Sequence, residues 1–509
     1  MKFLRVKMCV AFFAALILFS FQPAYWQSKF IKVDQDGTIS YIPDEKGNII
    51  PDFSRVGYHK GNRDIPVLPI VKTLSPSGSS TDEAAIQSAI NELSKRDPDK
   101  NGFRGAILLK KGVYKIPGTI HINASGIVLR GEGDEQYGTK LIATGKDKRN
   151  LISISGQGSL AEVTGSRRKI ADSYVPVGAF SFMLESASGL KAGDKIVVLR
   201  PGTKNWISDI KMDQIVERQG TKQWQAKEYD LHFEREITKI EGNKVFIDNP
   251  VVMAMEANYG GGEIYKYSFN NRIAEVGIEN MRFESEYAND TDEEHSWIAV
   301  EINKAENCWV KNVTSKYFAY SCVSLENDAK FITIRDSKCL DAKSVITGGR
   351  RYSFNNDGQL NLFMNLETTE GRHDFVTGAK VLGPNVFYNC KASQTHADIG
   401  PHHRWAVGTL YDNVQTDGAI NVQDRGKMGS GHGWSGANQV VWNCKAKEAA
   451  VQNPWASAKN YCIGFQGKKA GGAFPDRTDG EWEGHNQPGL TPPSLYRAQL
   501  EARQNSKEE

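Results

Sequence analysis

Histidines are concentrated in one stretch of this 509-residue chain, in a pattern that suits acid–base chemistry. Five of the ten histidines lie between residues 373 and 432, and three of these begin a phrase in which an aromatic residue follows two positions later. Imidazole titrates near neutral pH and is a common proton-transfer group. The intervals between the phrases are 30 and 29 residues, and the phrases are His373-Asp374-Phe375, His403-Arg404-Trp405 and His432-Gly433-Trp434.

If these intervals correspond to successive turns of a repetitive fold, the three histidines should stack. Residues i and i+2 of a strand point the same way, so each histidine should share a face with its aromatic ring. Three imidazoles buried in a core would be costly, and we therefore expect the outward face. The result would be a groove of imidazoles and flat rings that fits pyranose sugars.

Arginines accompany the histidines and indicate an acidic substrate. Cleavage of a uronic-acid polymer by β-elimination removes a weakly acidic proton next to a carboxylate, so the site must neutralise that carboxylate. The guanidinium fork of Arg372 or Arg404 can do so with two hydrogen bonds. His403 or His373 would act as the base, and His402 is a further candidate for an acid or base role. Residues expected to bind the sugar chain are His396, Asp398, Trp405, Arg425, His432 and Trp434.

Repeated segments predict the fold that positions these residues. From about residue 270 onwards, segments share one form: alternating apolar residues, an Asn or Asp at a turn, then small polar residues. Several are 22–24 residues apart, as Tyr388 and Tyr411 are, which is the length of one β-helix coil. We therefore predict an all-β chain with a right-handed parallel β-helix, whose Asn and Asp turns form ladders.

A helix and four short strands precede this region. Ser80 and Glu83 have capping-box spacing, and Ile86, Ala89, Ile90 and Leu93 then share one helical face. Strands are predicted over 106–109, 112–116, 119–122 and 126–129. The helix and the phrase GAILLKKGVYKIPGTIHINASGIVLRGEG resemble the N-terminal cap and first coils of the pectate-lyase-like superfamily.

That resemblance implies that the helix plugs the end of the β-helix and that the protein acts on polysaccharide. The superfamily's usual double aspartate before the helix is replaced by Thr81-Asp82-Glu83. Its enzymes often use an arginine or lysine base with calcium held by carboxylates. No matching aspartate pattern is found here, so Ca²⁺ is kept only as an optional cofactor and no metal ligand is assigned.

The domain boundaries follow from changes in pattern. Residues 1–27 are predicted to be an export signal, with Lys2, Arg5 and Lys7 before an apolar run too short to span a bilayer. Residues 28–170 hold the N-terminal segment, capping helix and first coils, and 171–265 form an inserted β subdomain. In that subdomain Trp206 and Trp224 could serve either substrate or core. Residues 266–468 form the main β-helix with the groove, and 469–509 form a C-terminal cap or tail with a helix over 494–503.

Composition limits location and partners. A formal net charge of +3 with 24% charged residues gives no signal for nucleic acid. No segment after the export signal predicts membrane insertion, so we expect a periplasmic or secreted monomer that binds an acidic polysaccharide. Six cysteines follow the signal. They could form disulfides, but Cys390 and Cys444 occupy matching phrases, which favours small buried stacking residues.

Three alternatives stay open at this stage. A glycoside hydrolase would need paired carboxylates, and its candidates are Asp374, Asp398, Asp412, Asp417 and Asp424. The Gly431-His432-Gly433 tripeptide is similar to one in polygalacturonase-type hydrolases, although their clustered aspartate pair is missing. A non-catalytic β-helix would bind the sugar without turnover. A metal site at His396, His402 and His403 matches no familiar zinc spacing.

Overall fold

Parallel strand pairing between distant segments dominates the structure. The computed structural model describes residues 25–506, so all but the last three residues of the predicted export signal lie outside the described part. Strands stack in register from coil to coil in three parallel sheets, which confirms the predicted parallel β-helix. The first sheet contains Ile70–Leu74, Gly105–Leu109, Ile127–Arg130, Gly277–Ser285, Trp309–Lys316, Thr333–Leu340, Leu362–Thr369, Leu382–Tyr388, Ala406–Asp412, Val440–Trp442, Tyr461–Ile463 and Glu481–Glu483.

The second and third sheets follow the first along each coil. Gly112–Ile116, Thr139–Ala143, Lys391–Ser393 and Gln415–Thr416 belong to the second, together with the carboxyl ends of several long first-sheet strands. The third sheet positions the histidines. It contains Ile120–Ile122, Asn150–Ser155, Ile298–Asn303, Ser321–Leu325, Phe354–Asn356, Phe375–Thr377, Asp398–Pro401, Ala419–Val422 and Lys445–Val451, with Gln466–Lys469 at its end.

Asparagine and aspartate residues make the bend between the first and second sheets. Residues 280, 312, 336, 365, 389, 413 and 443 all have φ between 51° and 55°, in the left-handed region that Asn and Asp tolerate best. Their side chains also bond from coil to coil, as Asn389 Nδ2 does to Asn365 Oδ1 at 2.8 Å. The predicted turn ladder is therefore confirmed, and it bends seven successive coils at the same place.

The interior of the solenoid is apolar and free of disulfides. Phe363, Phe387 and Tyr411 stack on successive coils, with ring centroids 4.6 and 5.4 Å apart. All six cysteines of the described residues are unpaired and buried, as the matching Cys390 and Cys444 phrases indicated. Tyr388 pairs with Asp412 rather than with Tyr411, so the coil there is 24 residues long.

The capping helix spans Glu83–Ser94 and covers the first coils. Its buried residues are Ile86, Ala89, Ile90 and Leu93, as predicted. The predicted capping box is wrong. Asp82 is the N-cap, and its carboxylate accepts hydrogen bonds from the backbone N–H groups of Ser77 and Lys115. Glu83 accepts from the backbone of Gly118, so both acids fasten the helix to the solenoid instead.

An antiparallel subdomain interrupts the solenoid between Leu160 and Phe269. Its sheet contains Leu160–Glu162, Arg168–Lys169, Ser181–Met183, Lys195–Arg200, Leu231–Glu241, Lys244–Ile247 and Glu263–Phe269. Tyr174–Val175 pairs with Met255–Glu256, and a short helix spans Lys204–Asp209. Trp206 and Trp224 are buried in the core of this subdomain, so they serve its core and not the substrate.

Buried ion pairs join the subdomain to the solenoid. Glu234, only 3% exposed, accepts hydrogen bonds from Arg272, Lys330 and Tyr267 at 2.6 to 2.7 Å. Burial would raise the pKa of Glu234, but these cations hold it below its usual range. Removing one partner of this cluster would leave a buried charge unpaired, so a substitution of Arg272 or Lys330 is expected to be destabilising.

The two ends of the described chain meet on the first sheet. Trp26–Gln27 pairs with Leu490–Thr491, and Ile31–Val33 pairs with Ile39–Tyr41. A C-terminal helix spans Leu495–Asn505, with Ser494 as its N-cap. Asp412 accepts hydrogen bonds from Ser494 Oγ and from the backbone of Tyr496, both at 2.8 Å. It is fully buried and anchors this helix, so it is not available to a hydrolase groove.

Replacing Asn389 tests the turn ladder. We expect Asn389→Ala to lower the free energy of unfolding by about 2 kcal/mol, because alanine tolerates positive φ poorly and loses the bond to Asn365. Asn389→Gly keeps the backbone conformation and should lose less. Denaturant unfolding of both variants measures the difference, and equal losses would show that the left-handed bend contributes nothing.

Candidate active site

Two of the three histidine phrases stack as the sequence predicts. The backbone of Arg404 donates to His432 O at 3.1 Å, and the backbone of Trp405 donates to Trp434 O at 2.8 Å. The imidazoles of His403 and His432 therefore lie on neighbouring coils, with ring centroids 4.9 Å apart. The second and third copies of the phrase are true structural repeats.

The first phrase is offset from the other two. Val376 pairs with Gly400, an offset of 24 residues, so His373 lies opposite Ala397 and not opposite His403. His373 still reaches the cluster, because its ring lies 4.6 Å from that of His402, which follows the next third-sheet strand. His373, His402, His403 and His432 form what we call the histidine cluster.

The tryptophans of the phrases do not face the groove. Trp405 and Trp434 are fully buried, and Trp405 packs edge-on against Trp206 of the subdomain at 4.9 Å. Arg404 and Trp405 have φ of 55° and 64°, so the backbone there departs from the regular alternation of a strand. The expectation that these two rings stack on sugars is wrong, since the subdomain covers them. Phe375 lies inside the solenoid core.

A hydrogen-bonded chain links a phenol to two imidazoles. The hydroxyl of Tyr352 lies 3.2 Å from His402 Nε2, and His402 Nδ1 lies 2.8 Å from His403 Nδ1. His403 Nε2 has no hydrogen-bond partner among residues 25–506. Because neutral imidazole carries one donor and one acceptor, a proton can move from one end of this chain to the other without charging its middle.

His373 and Asp398 form a buried pair beneath that chain. His373 Nδ1 lies 2.8 Å from the Asp398 carboxylate, while its buried Nε2 has no partner in the described chain. Asn421 also donates to Asp398, at 2.9 Å. Burial would raise the pKa of Asp398, but His373 and the charge of Arg425 hold it below its usual range. The carboxylate fixes the His373 ring, which lies edge-on to Tyr352 at 5.0 Å.

The remaining histidines of the cluster are held neutral. Burial and the charges of Arg404 and Arg425 lower the pKa of His403 to about 4. Burial, His403 and three arginines, Arg425, Arg404 and Arg218, lower the pKa of His432 to about 3. The pKa of His402 also lies well below its ordinary value, because of burial and the neighbouring His373 and Arg425. At neutral pH these rings can accept protons.

Four arginines surround the cluster without a carboxylate partner. No Asp or Glu oxygen of residues 25–506 lies within 4 Å of a guanidinium nitrogen of Arg218, Arg372, Arg404 or Arg425. Each donates to a backbone carbonyl instead: Arg425 to His402 at 3.0 Å, Arg404 to Ser430 at 3.1 Å, Arg372 to Gly348 and Arg218 to Gly429. Arg425 Nε is buried with no partner. The site therefore carries uncompensated positive charge.

Two predicted residues have other partners. His396 hydrogen-bonds Glu370 at 2.7 Å instead of another histidine. Asp374 is fully buried, where Ser353 and Thr395 donate to it at 2.9 and 3.1 Å. The structure thus brings Arg372, His373, Asp398, His402, His403, Arg404, Arg425 and His432 together at one site.

Sequence reasoning missed three residues of this site. Tyr352 lies at its centre, and Tyr320 packs against Tyr352 with ring centroids 5.1 Å apart. The pair Arg350-Arg351 just before Tyr352 is the only local signal for it. Arg218 comes from the subdomain and has no signal in the repeat pattern. Within residues 25–506, no group of three or more His, Cys, Asp or Glu side chains is arranged to hold a metal ion.

Comparison with known proteins gives structural likeness alone. No family model and no curated protein matches the chain. The tailspike protein gp49 from Pseudomonas phage LKA1 is 15% identical, with 76% of this chain and 56% of that chain covered and a TM-score of 0.43. An alginate lyase from Paenibacillus sp. str. FPU-7 is 10% identical, with 82% and 99% covered and a TM-score of 0.40.

A third solved structure is 1,3-alpha-1,4-beta-D-galactose-4-sulfate-3,6-anhydro-D-galactose-2-sulfate 4 galactohydrolase, 12% identical, with 76% of this chain and 74% of that one covered and a TM-score of 0.37. These proteins and this chain are right-handed parallel β-helices. The chain spans 56% of the tailspike gp49 and 59% of ORF18 of Geobacillus virus E2.

No helix of the described residues is long and apolar enough to cross a membrane.

The neutral histidines predict a loss of stability in acid. The pKa of His403 falls from 6.5 to about 4 on folding, so below about pH 6.5 the unfolded chain binds a proton that the folded chain does not. Stability is therefore full above the unfolded pKa and is lost as pH falls towards the folded one. His432 acts in the same direction.

Thermal unfolding measures this effect. We expect the melting temperature to fall between about pH 6.5 and pH 4, and to fall less in a His403→Asn, His432→Asn double variant. His121→Asn removes an exposed histidine elsewhere and serves as the control. If the melting temperature of the double variant falls with decreasing pH as steeply as that of the wild type, the assignment of neutral imidazoles is contradicted.

Proposed function

We propose that this protein is a polysaccharide lyase that cleaves a uronic-acid-containing polysaccharide by β-elimination at the histidine cluster. One observation carries the proposal: four arginines without carboxylate partners surround imidazoles that are neutral and hydrogen-bonded to a phenol. Uncompensated guanidinium groups are suited to an anionic ligand, and neutral imidazoles are suited to proton transfer. The protein would act as an exported monomer, in the periplasm or outside the cell.

The arginines make the first step feasible. The proton removed lies on the carbon that bears the uronate carboxylate, and its loss places negative charge on that carboxylate. Arg425, partly buried and unpaired at Nε, can bond the carboxylate and stabilise the charge as it develops. Arg372 precedes His373 and Arg404 follows His403 in the sequence, and their charges add to the positive potential at the histidine cluster. Ca²⁺ would be an alternative neutraliser, and a chelator distinguishes the two.

The Tyr352–His402–His403 chain supplies the base and the acid. His403 Nε2 takes the proton from the sugar carbon, a carbon–carbon double bond forms, and the bond to the glycosidic oxygen breaks. The Tyr352 hydroxyl donates its proton to that oxygen. The proton on His403 Nδ1 then moves to His402 Nδ1, and the proton on His402 Nε2 moves to the tyrosine oxygen. Atoms and electrons balance without an oxidant or a metal, and the phenol is regenerated. After product release, His403 Nε2 loses its proton to water, protons move back along the two hydrogen bonds and Tyr352 takes one from water, which restores the starting tautomers.

Substrate binding should itself strengthen the base. Burial and two arginines keep the pKa of His403 at about 4 in the empty site, where it is a weak base. A bound carboxylate that pairs with Arg404 and Arg425 removes part of their effect on the imidazole. The pKa of His403 then rises towards its usual value, so His403 is a better base when a uronate is in place than in the empty site.

A glycoside hydrolase is the second candidate, because of two carboxylates that sequence reasoning missed. Glu326 and Asp357 follow the paired residues Leu325 and Asn356, so they occupy equivalent positions on neighbouring coils, whose backbones are about 4.8 Å apart. Burial raises the pKa of both. Two neighbouring carboxyl groups are the catalytic pair that a glycoside hydrolase needs. Of the aspartates proposed earlier, Asp424 pairs with Arg477, and Asp417 accepts from the backbone of Gln394 and Thr395.

Activity of variants tests the lyase proposal. With a panel of uronic-acid polysaccharides, including pectins, glycosaminoglycans, alginate and ulvan, we expect ultraviolet absorbance from an unsaturated uronate. His403→Asn and Tyr352→Phe should lower kcat by about 10²-fold or more, since each removes one proton-transfer group. His396→Asn, which alters a histidine bonded to Glu370, is the matched control. New reducing ends without ultraviolet absorbance, abolished in Asp357→Asn, would replace the lyase with the hydrolase.

The pH profiles test the role of His403. Because the base must be unprotonated, activity should fall as pH drops below its pKa. The acid limb of kcat/KM, which reports the free enzyme, should lie near pH 4, where the His403 pKa is held. The acid limb of kcat should lie at higher pH, since bound uronate raises that pKa. If the acid limbs of kcat and kcat/KM coincide near the ordinary pKa of imidazole, the assignment of His403 as the base is contradicted.

A further inference from the structure

The charge of the groove reverses along the solenoid axis. Arg404, Arg425 and Arg218 lie at and beyond the coil of His402, and Arg372 lies one coil before it. The coils further towards the N-terminus carry carboxylates with no cation of the described chain within 4 Å. We propose that the groove selects a heteropolysaccharide in which the cleaved uronate is followed, towards the N-terminal coils, by uncharged sugars, and that it rejects homopolyuronates. This rests on the proposed function for the position of the uronate but concerns substrate choice.

The strand register shows where along the axis the charge changes sign. The residues that follow third-sheet positions 325, 356, 377 and 401 are Glu326, Asp357, Gly378 and His402. They form one column along the axis, with about 4.8 Å between neighbouring strands. Asp357 therefore lies two coils from His402, and Glu326 lies three coils away. A sugar residue in an extended polymer has a similar length, so each coil contacts roughly one sugar.

Asp357 leans towards the histidine cluster across a position without a side chain. A Cβ atom on Gly378 would clash with Asp357 Oδ1, so the carboxylate occupies the space above this glycine. Asn355 donates to Asp357 at 3.2 Å and to Ser324 at 3.2 Å, and Ser324 donates to Glu326 at 3.0 Å. This network of neutral donors and carboxylates can bond sugar hydroxyls.

These carboxylates lack cationic partners. No Lys, Arg or His nitrogen of residues 25–506 lies within 4 Å of a carboxylate oxygen of Glu301, Glu326, Asp328 or Asp357. Burial, together with repulsion from Asp357, raises the pKa of Glu326. A sugar carboxylate placed here would lie beside like charges in a partly desolvated groove, which opposes binding. A neutral sugar would meet hydrogen-bond acceptors instead.

The acidic character continues towards the N-terminus. The loop between Gly277–Ser285 and Ile298–Asn303 joins the same two sides of a coil as the segment that carries Tyr352. Beside it lies a cavity of about 680 Å³, lined by Tyr287 and Tyr317, by Lys146 and by four acids. Lys140 and Arg282 pair with Glu284, while Glu286, Asp292 and Glu294 have no Lys or Arg partner among residues 25–506. The two tyrosine rings lie 5.1 Å apart. Aromatic faces and carboxylates together fit a neutral sugar better than a uronate.

Binding measurements test the proposal without relying on turnover. Affinity electrophoresis of the whole protein in chelator, with polygalacturonate, alginate, hyaluronan or desulfated chondroitin in the gel, compares homopolyuronates with polymers that alternate uronate and neutral sugar. We expect the wild-type protein to bind at least one alternating polymer more tightly than either homopolyuronate. A Glu326→Gln, Asp357→Asn double variant should gain about ten-fold in affinity for a homopolyuronate, with little change for the alternating polymer.

A Glu135→Gln, Glu185→Gln double variant makes the same change in net charge at exposed positions and is the control. Equal or tighter wild-type binding of a homopolyuronate, no gain in the groove variant, an equal gain in the control, or no binding of any alternating polymer would each overturn the proposal. Loss of all cleavage in Asp357→Asn would also overturn it, because Asp357 would then be catalytic. Absence of unsaturated products from every polymer would contradict the lyase proposal alone, since the binding comparison stands by itself.

Discussion

Main-chain hydrogen bonding between successive parallel coils is the constraint on which the rest of this structure depends. It places equivalent residues one above another at a fixed interval, so a side chain is positioned by its place in the coil and not by its distance along the sequence. The left-handed Asn and Asp bends keep that register where each coil turns, because each has the same φ and several bond to the next. His373 and His432 are far apart in the sequence, yet their ring centroids lie 4.6 and 5.1 Å from that of His402.

The register has an electrostatic consequence at the third sheet. Histidines that share a small volume cannot all be charged, and the nearby arginines lower their pKa further. The arginines in turn have no acid to pair with among residues 25–506. Neutral bases beside unpaired cations form an arrangement that a bound anion would stabilise. The carboxylates of Glu326 and Asp357 lie a few coils away, so the same regular spacing that gathers positive charge at one level gathers negative charge at another.

Much of this architecture could be predicted from local pattern. The buried face of the capping helix, the four strands that follow it to within one residue, and the Asn and Asp ladder follow from periodicity and turn chemistry. The stacking of His403 on His432 follows from a repeated phrase. The offset of His373 could not be predicted in this way, because loop length differs from coil to coil. Trp405 was misplaced because its partner, Trp206, lies almost two hundred residues earlier in an inserted subdomain. Tyr352 and Arg218 occur once each, outside any repeat, so only the folded chain shows their position.

Isotope labelling of the cleaved products tests the central claim most directly. If the histidine cluster performs β-elimination, cleavage in ¹⁸O-labelled water should give fragments that together have the mass of the parent polymer, with an unsaturated uronate at one new end and no label at the other. Hydrolysis would add one water molecule per cleavage and place ¹⁸O at the new reducing end. One label at that position per cleavage, gained faster than a reducing sugar exchanges its anomeric oxygen in the same water, would contradict the account, whichever polymer proves to be the substrate.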